Sequence, residues 1–98
     1  MGSKLDHWNG QTQSGCFIFC PGCEAPHMVV TQGPGSWTFN GNDEAPTFSP
    51  SLLLNGQNPP RICHSYVTDG RIQFLGDSTH ALAGQTVDLP DYPEKWRG

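Results

Sequence analysis

Short runs of β-favouring residues alternate with turns along this chain. Residues 16–19 and 27–31 are two such runs, and between them lies the turn Cys20-Pro21-Gly22-Cys23. Apolar and β-branched runs bounded by proline and glycine are typical of strands. The pattern therefore predicts a β-hairpin that carries two cysteines at its tip.

A second hairpin is predicted around Asp69-Gly70, because this dipeptide between β-rich runs is the strongest short-range hairpin signal. A two-residue turn pairs Ser65 with Phe74, and this register places Cys63 on the apolar face of the hairpin. Side chains alternate along a strand, so His64 is expected on the opposite face.

The rest of the pattern is typical of turns and short extended pieces. Prolines bracket residues 45–51 and impose an extended backbone there, before the apolar run at 52–54. We expect the following further elements: a strand at 37–39, a loop at 55–60, a short helical turn at 80–83 and a last strand at 86–89. The predicted boundaries are a flexible leader at 1–15, a single domain at 16–90 and a loose tail at 91–98.

Composition indicates that such a core needs reinforcement. Only 35% of the 98 residues are hydrophobic, and the chain contains 12 glycines and 9 prolines. Small domains bury a modest fraction of their surface, and disulfides or metals commonly stabilise them. Two of the four cysteines are separated by two residues, a spacing that favours a tetrahedral metal ion over a disulfide. The sequence thus predicts a small β-rich fold with one short helical turn and zinc-ribbon-like hairpins around a single metal site.

We expect zinc to be held by Cys20, Cys23, Cys63 and His80. Hairpin register brings the chain after Phe74 back beside Cys63, which favours His80 as the fourth ligand. His27 is the alternative, because it could close the site from three residues beyond Cys23.

The other candidates for the site rank lower. His64 is disfavoured because adjacent residues on a strand point to opposite faces. Cys16 is expected to be a buried, hydrophobic residue. A redox role for the Cys-Pro-Gly-Cys segment is disfavoured, because Pro26 opposes the helix on which thioredoxin-type chemistry depends.

Charge and hydropathy exclude several classes. The net charge of −4 and the pI near 5.3 disfavour nucleic-acid binding. The sequence has no apolar run long enough for a signal peptide or a membrane span, so we expect a cytoplasmic protein.

Several motifs together resemble a small family of unknown function from bacteriophages and prophages. They are Cys20-Pro21-Gly22-Cys23 with His27, Trp37-Thr38-Phe39-Asn40-Gly41, Pro46-Thr47-Phe48-Ser49-Pro50-Ser51, Cys63-His64-Ser65-Tyr66, Asp69-Gly70-Arg71-Ile72 and residues 77–87. The resemblance implies a phage origin, and with it a location in the cytoplasm of a bacterial host cell. It also implies zinc, and it supplies no mechanism. Some members carry an ammonia monooxygenase label, which this chain does not support, because it has neither a membrane span nor a histidine-dominated redox-metal site.

Two functions compete at this point. The sequence favours a phage or prophage accessory protein, a zinc-stabilised module that binds a protein partner through Trp37, Phe48 or the aromatic tail at 92–96. Catalysis is less favoured, since three thiolates blunt the Lewis acidity of zinc. The alternative is a small zinc-dependent hydrolase that uses His27, His64 and Asp77 near the metal.

Overall fold

The computed structural model describes residues 3–57 and 60–96, and strands dominate this part of the chain. This confirms the predicted β-rich class. The elements are β1 (Asp6–Asn9), β2 (Ser14–Cys20), β3 (Ala25–Gln32), β4 (Thr38–Phe39), β5 (Phe48–Gln57), β6 (Pro60–Thr68), β7 (Arg71–Phe74), β8 (Thr86–Asp88) and a 3-10 turn at Glu94–Trp96.

These strands form two antiparallel sheets with the core between them. One sheet has the order β1-β2-β3 and the other the order β4-β5-β6-β7-β8. A single cluster of buried side chains contains members of both sheets: Cys16, Ile18, Cys20 and Val29 from the first, and Phe48, Leu52, Cys63, Val67, Ile72 and Phe74 from the second. Each sheet thus buries one face against the other.

Both predicted hairpins are present. In the first, Cys20 pairs with Ala25 across a turn in which Glu24 has a positive φ of 56°. In the second, Ser65 pairs with Phe74 as the register predicts, and Asp69 and Gly70 both have positive φ. Positive φ at both central residues matches the twist of the strands that flank a two-residue hairpin turn.

Strand β5 contains a wide irregularity opposite β6. Phe48 pairs with Val67 and Leu52 pairs with Ser65, so Ser49, Pro50 and Ser51 lie opposite the single residue Tyr66. The Ser49–Pro50 peptide bond is cis. Such bulges bend a strand and redirect its side chains.

The ends of the chain differ from the expected leader and tail. Strand β1 pairs with β2 within the predicted leader, and the Leu5 side chain is fully buried. At the other end Tyr92 is buried and its N–H donates to the carbonyl of Ser3 at 3.0 Å. A four-residue edge strand among polar residues is too short to give a periodic signal, which is why residue type alone predicted no order here.

Two local predictions need correction. The loop expected at 55–60 is mostly strand, because β5 extends to Gln57 and β6 begins at Pro60, while residues 58 and 59 lie outside the described residues. The segment expected to form a helical turn at 80–83 forms two hydrogen-bonded turns instead. Gly84, with a φ of 81°, follows this segment. The one-turn helix lies instead at Glu94–Trp96.

Candidate functional site

Four residues from three strands and a turn bring possible metal ligands together. Cys20 ends β2, Cys23 lies in the turn, His27 lies on β3 and Cys63 lies on β6. One donor atom from each lies within 4.8 Å of the others, so the set could hold a metal ion. The cluster therefore joins the two sheets at one end of the core.

Sulfur geometry in this cluster fits a metal better than a disulfide. All four cysteines are free thiols, and the sulfurs of Cys20 and Cys63 are 3.7 Å apart. A disulfide needs about 2.05 Å, whereas two sulfurs bound tetrahedrally at about 2.3 Å from zinc lie about 3.8 Å apart. The N–H of Cys23 also donates to the Cys20 sulfur at 3.3 Å, which favours a thiolate there.

Electrostatics separate the cysteines into two kinds. The hydrogen bond from the Cys63 thiol is the main cause that lowers the pKa of Cys20, to about 4. The same bond, with burial, raises the pKa of Cys63. Burial raises the pKa of Cys16, four residues before Cys20 on the same strand, to about 12. Cys16 is therefore a neutral thiol in the core, as the sequence predicts.

The two candidate histidines contact the cluster with different nitrogen roles. The Nδ1–H of His27 donates to the Pro26 carbonyl at 3.1 Å, which leaves Nε2 with a lone pair. This Nε2 atom is buried and has no hydrogen-bond partner in the described part of the chain. A buried, unpartnered nitrogen is costly unless a ligand satisfies it, so the His27 ring fits the position of a metal ligand.

His80 lies beside the cluster, with its Nε2 atom 3.5 Å from the Cys63 sulfur. Its Nδ1 atom accepts a hydrogen bond from the Leu82 N–H at 3.2 Å, so the proton of the neutral ring belongs on Nε2. In that form Nε2–H donates to the Cys63 sulfur. The ring also meets Phe74 edge to face, and a Cβ at Gly22 would overlap it.

A second constellation lies on the other face of β6. The Ser51 hydroxyl donates to His64 Nε2 at 3.1 Å, and His64 Nδ1–H donates to the Asp77 carboxylate at 3.2 Å. A hydroxyl, an imidazole and a carboxylate in this series are the arrangement by which a serine is activated as a nucleophile. The His64 side chain is 25% exposed and that of Asp77 is 55% exposed, so the series opens to solvent.

Hydrogen bonds from Ser78 and Thr79 to β6 hold Asp77 beside His64. The His64 N–H donates to Ser78 Oγ at 3.0 Å, and that hydroxyl donates back to the His64 carbonyl at 3.2 Å. The Thr79 N–H donates to the Ile62 carbonyl at 2.8 Å. The segment after β7 is thereby fastened along β6, with Asp77 beside the imidazole.

Ser51 is positioned from the other side by the irregularity in β5. Its carbonyl accepts a hydrogen bond from Trp37 Nε1 at 3.1 Å, which fixes the backbone at Ser51. Sequence reasoning paired His64 with Asp77 but missed Ser51 and placed His27 with them, whereas His27 lies with the cysteines. No local sequence signal marked Ser51, because it reaches His64 only through the irregular pairing of β5 with β6.

Fold and site together indicate the class of protein. It is a β protein of two small sheets with a cysteine–histidine cluster between them. On an outer face it carries a Ser–His–Asp series of the kind that serine hydrolases use. The chain belongs to the BubE family: residues 4–75 match the family model described as bacterial ubiquitination-like system serine protease (BubE). The match covers Ser51 and His64 and ends two residues before Asp77. No curated protein and no solved structure matches significantly.

In the described residues, none of the helical segments has the length and apolarity needed to cross a membrane. Two of the aromatic residues expected to form a binding surface are core residues instead. Phe48 stacks on Phe39 at 5.1 Å and is buried, and Tyr92 is buried as well. Trp37 is half-buried, and Trp96 is the exposed member of this set.

Proposed function

We propose that this protein is a serine protease of a bacterial ubiquitination-like system, with Ser51 as nucleophile, His64 as general base and Asp77 as the orienting carboxylate. The hydrogen bond from Ser51 to His64 Nε2 is the observation that carries the proposal. Family membership supports it independently, since the family description names this class of enzyme. The sequence favoured a non-catalytic module, and these two observations weigh against that choice.

The proposed reaction is acyl transfer. Ser51 Oγ attacks the carbonyl carbon of a peptide bond while His64 Nε2 takes the hydroxyl proton, and His64 then passes that proton to the departing amine. Water hydrolyses the resulting ester by the same proton path. Asp77 accepts the Nδ1–H bond, which keeps Nε2 free as the base and stabilises the imidazolium.

The metal is proposed to be zinc and to be structural. Soft thiolates with one imidazole in a tetrahedral set favour zinc, and a closed set of four protein ligands fits a structural site. We assign His27 as the fourth ligand because of its orphan Nε2, and His80 as a hydrogen-bond donor to the Cys63 thiolate. The metal ligand set with His80 in place of His27 is the competing assignment.

The phage origin, cytoplasmic location and partner-binding role inferred from sequence stay predictions. Nothing in the acidic composition favours a nucleic-acid partner. A protein substrate would itself be a partner, so a protease and a protein-binding surface are compatible.

Active-site labelling tests the proposal directly. A fluorophosphonate probe should modify Ser51, as located by peptide mass spectrometry, and Ser51→Ala and His64→Ala should abolish labelling while circular dichroism and metal content stay unchanged. Ser49 is a matched control, because it is an exposed serine on the same strand. Ser49→Ala should be labelled like the wild type. Equal labelling of the Ser51→Ala variant, or none of the wild type, would contradict the assignment.

A further inference from the structure

One edge of the larger sheet is open beside the nucleophile. Strand β4 pairs with β5 only at Phe48 and Ser49, whereas β5 continues to Gln57. Among residues 3–57 and 60–96, no other strand covers β5 on this side beyond Ser51. In the described part of the chain, β5 therefore has no neighbouring strand on the β4 side alongside Leu53–Gln57.

Backbone groups along this edge point outward at alternate residues. The His64 carbonyl accepts from the Leu75 N–H at 2.8 Å, so the backbone of His64 faces away from β5. Backbone N–H and C=O groups alternate in direction along an antiparallel strand, so those of the two neighbouring residues, Cys63 and Ser65, point toward β5.

The partners of those residues on β5 are Leu54 and Leu52, which bond to β6. Leu53 lies between them, so its N–H and C=O point to the open edge. The Ser51 carbonyl points the same way, as its bond from Trp37 Nε1 shows.

The face beside this edge is apolar around the catalytic histidine. Leu53 pairs with His64, so the two side chains share a face, and Leu53 is 55% exposed. Tyr66, two residues after His64 on the same face, is 45% exposed. Exposed large apolar side chains of this kind offer contact area to a bound chain.

We propose that the open edge of β5 from Leu53 to Gln57 is the substrate-binding strand, on which an extended polypeptide segment adds antiparallel to β5 and presents its scissile carbonyl to Ser51. This inference rests on the proposed function. Strand addition supplies affinity through main-chain hydrogen bonds and specificity through alternate side chains.

The surroundings of Ser51 set the direction of the bound segment. An antiparallel segment places the residues before the scissile bond along Leu53–Gln57 and sends the residues after it toward β4. There the edge is occupied, because the Trp37 indole is bonded to the Ser51 carbonyl and the Trp37 N–H donates to the Val30 carbonyl at 2.7 Å. The enzyme therefore reads the acyl side of its substrate, and the leaving side turns away from the sheet.

A side-chain preference follows from the pairing. The substrate residue opposite Leu53 lies on the same face as the Leu53 side chain. Because Ser51 is two residues away on β5, that residue precedes the scissile bond by about two positions. It should be apolar, since it packs on Leu53 beside His64.

Two substitutions of Leu53 distinguish the contribution of its backbone N–H to substrate binding from that of its side chain. Leu53→Pro removes the outward N–H, which an edge position tolerates because it makes no bond to β6, and Leu53→Ala keeps it. The substrate is an internally quenched peptide chosen from a proteome-derived library as cleaved by the wild type. We expect Leu53→Pro to lower kcat/KM for it by about two- to tenfold, the effect of losing one hydrogen bond. Leu53→Ala should lower it less, and only for peptides with an apolar residue at the paired position.

N-methylation of the peptide gives the same test without altering the protein. Methylating the N–H of the substrate residue opposite Leu53 should slow cleavage by wild-type protein, whereas methylating the next residue should not, because its N–H points away from β5. Fluorophosphonate labelling of Ser51 should be unchanged in both Leu53 variants. If cleavage is unaffected by Leu53→Pro and by both methylations while labelling persists, the edge proposal is wrong and the serine protease stands. Loss of wild-type labelling would instead overturn the proposed function.

Discussion

Strand β6 has two different faces, and adjacent residues divide the chemistry between them. Cys63 points inward to the thiol cluster, and His64 points outward to Ser51 and Asp77. The Cys63 side of the strand is buried between the sheets, while His64 and Asp77 open to solvent. The inward side carries the residues that could hold a metal, and under the proposed function the outward side is the one that would meet a substrate.

This division explains how a thin core can support a catalytic series. A nucleophile and its base must be held within about 0.5 Å of a productive arrangement by surrounding structure. Here the cluster ties β2 and β3 to β6 directly behind His64, and the His80 ring joins the segment that carries Asp77 to the same cluster. A metal held on the Cys63 side of β6 would therefore support the Ser–His–Asp series on the other side.

The largest expected contrast comes from changing the two adjacent residues in turn. Cys63→Ser should lose the metal and unfold the protein, because apparent zinc-binding free energies of about 10–16 kcal/mol rival the whole stability of a small domain. His64→Ala should keep fold and metal and lose about four to six orders of magnitude in turnover. Thermal unfolding, metal analysis and fluorogenic cleavage distinguish them, and a folded, metal-loaded Cys63→Ser would break the comparison.

Removal of the metal from the wild type sharpens the same contrast. A chelator should abolish labelling of Ser51 together with the cooperative unfolding transition, and adding back zinc should restore both. Loss of labelling with the fold intact would mean that the metal takes part in the reaction at Ser51 and is not needed for folding.

A smaller effect is expected from the carboxylate that orients His64. Asp77→Asn should lower turnover by roughly two to four orders of magnitude, because the amide favours the wrong imidazole tautomer while solvent exposure weakens the charge effect. Asp88→Asn is the control, since Asp88 is an exposed partner of Arg71 at 3.4 Å on β8. The control should change turnover and stability little, and equal turnover in the two variants would remove Asp77 from the series.

The two cluster histidines should differ in metal affinity. His27→Ala removes the assigned ligand and should release zinc or leave a site open to water, whereas His80→Ala removes a hydrogen bond and should weaken affinity by about 10–100-fold. Competition with a chromophoric chelator measures both. A larger loss in His80→Ala would reverse the assignment and restore the ligand set expected from sequence.

Local signals made the hairpins predictable. Asp69-Gly70 determined the register of β6 and β7, and alternation along β6 then separated Cys63 from His64. The spacing of Cys20 and Cys23 predicted the cluster at the hairpin tip. These inferences depend on residues close in sequence, where turn geometry and the period of two suffice.

What escaped prediction depends on long-range pairing. Ser51 reaches His64 only because β5 pairs with β6 across an irregularity, which no residue pattern announces. The choice between His27 and His80 depends on which ring nitrogen carries the proton, and that follows from the Pro26 and Leu82 backbone contacts. Strand β1 was missed because its pairing with β2 outweighs its polar composition.

The smallest expected effect concerns Cys16, the cysteine outside the cluster. Its folded pKa of about 12 lies above that of an unfolded thiol, about 8.5, because burial and then the nearby Asp43 charge disfavour the thiolate. Between these values the unfolded chain has lost its proton and the folded chain keeps it, so the free energy of unfolding falls as pH rises. Cys16→Ala should cost about 1 kcal/mol at neutral pH and keep metal content and turnover. Urea unfolding at about pH 8 and about pH 10 should show a steeper alkaline loss in the wild type than in Cys16→Ala. If the free energy of unfolding falls equally with pH in both proteins, Cys16 ionises as freely in the folded protein as in the unfolded chain. Burial would then not distinguish the pKa of Cys16 from that of Cys20.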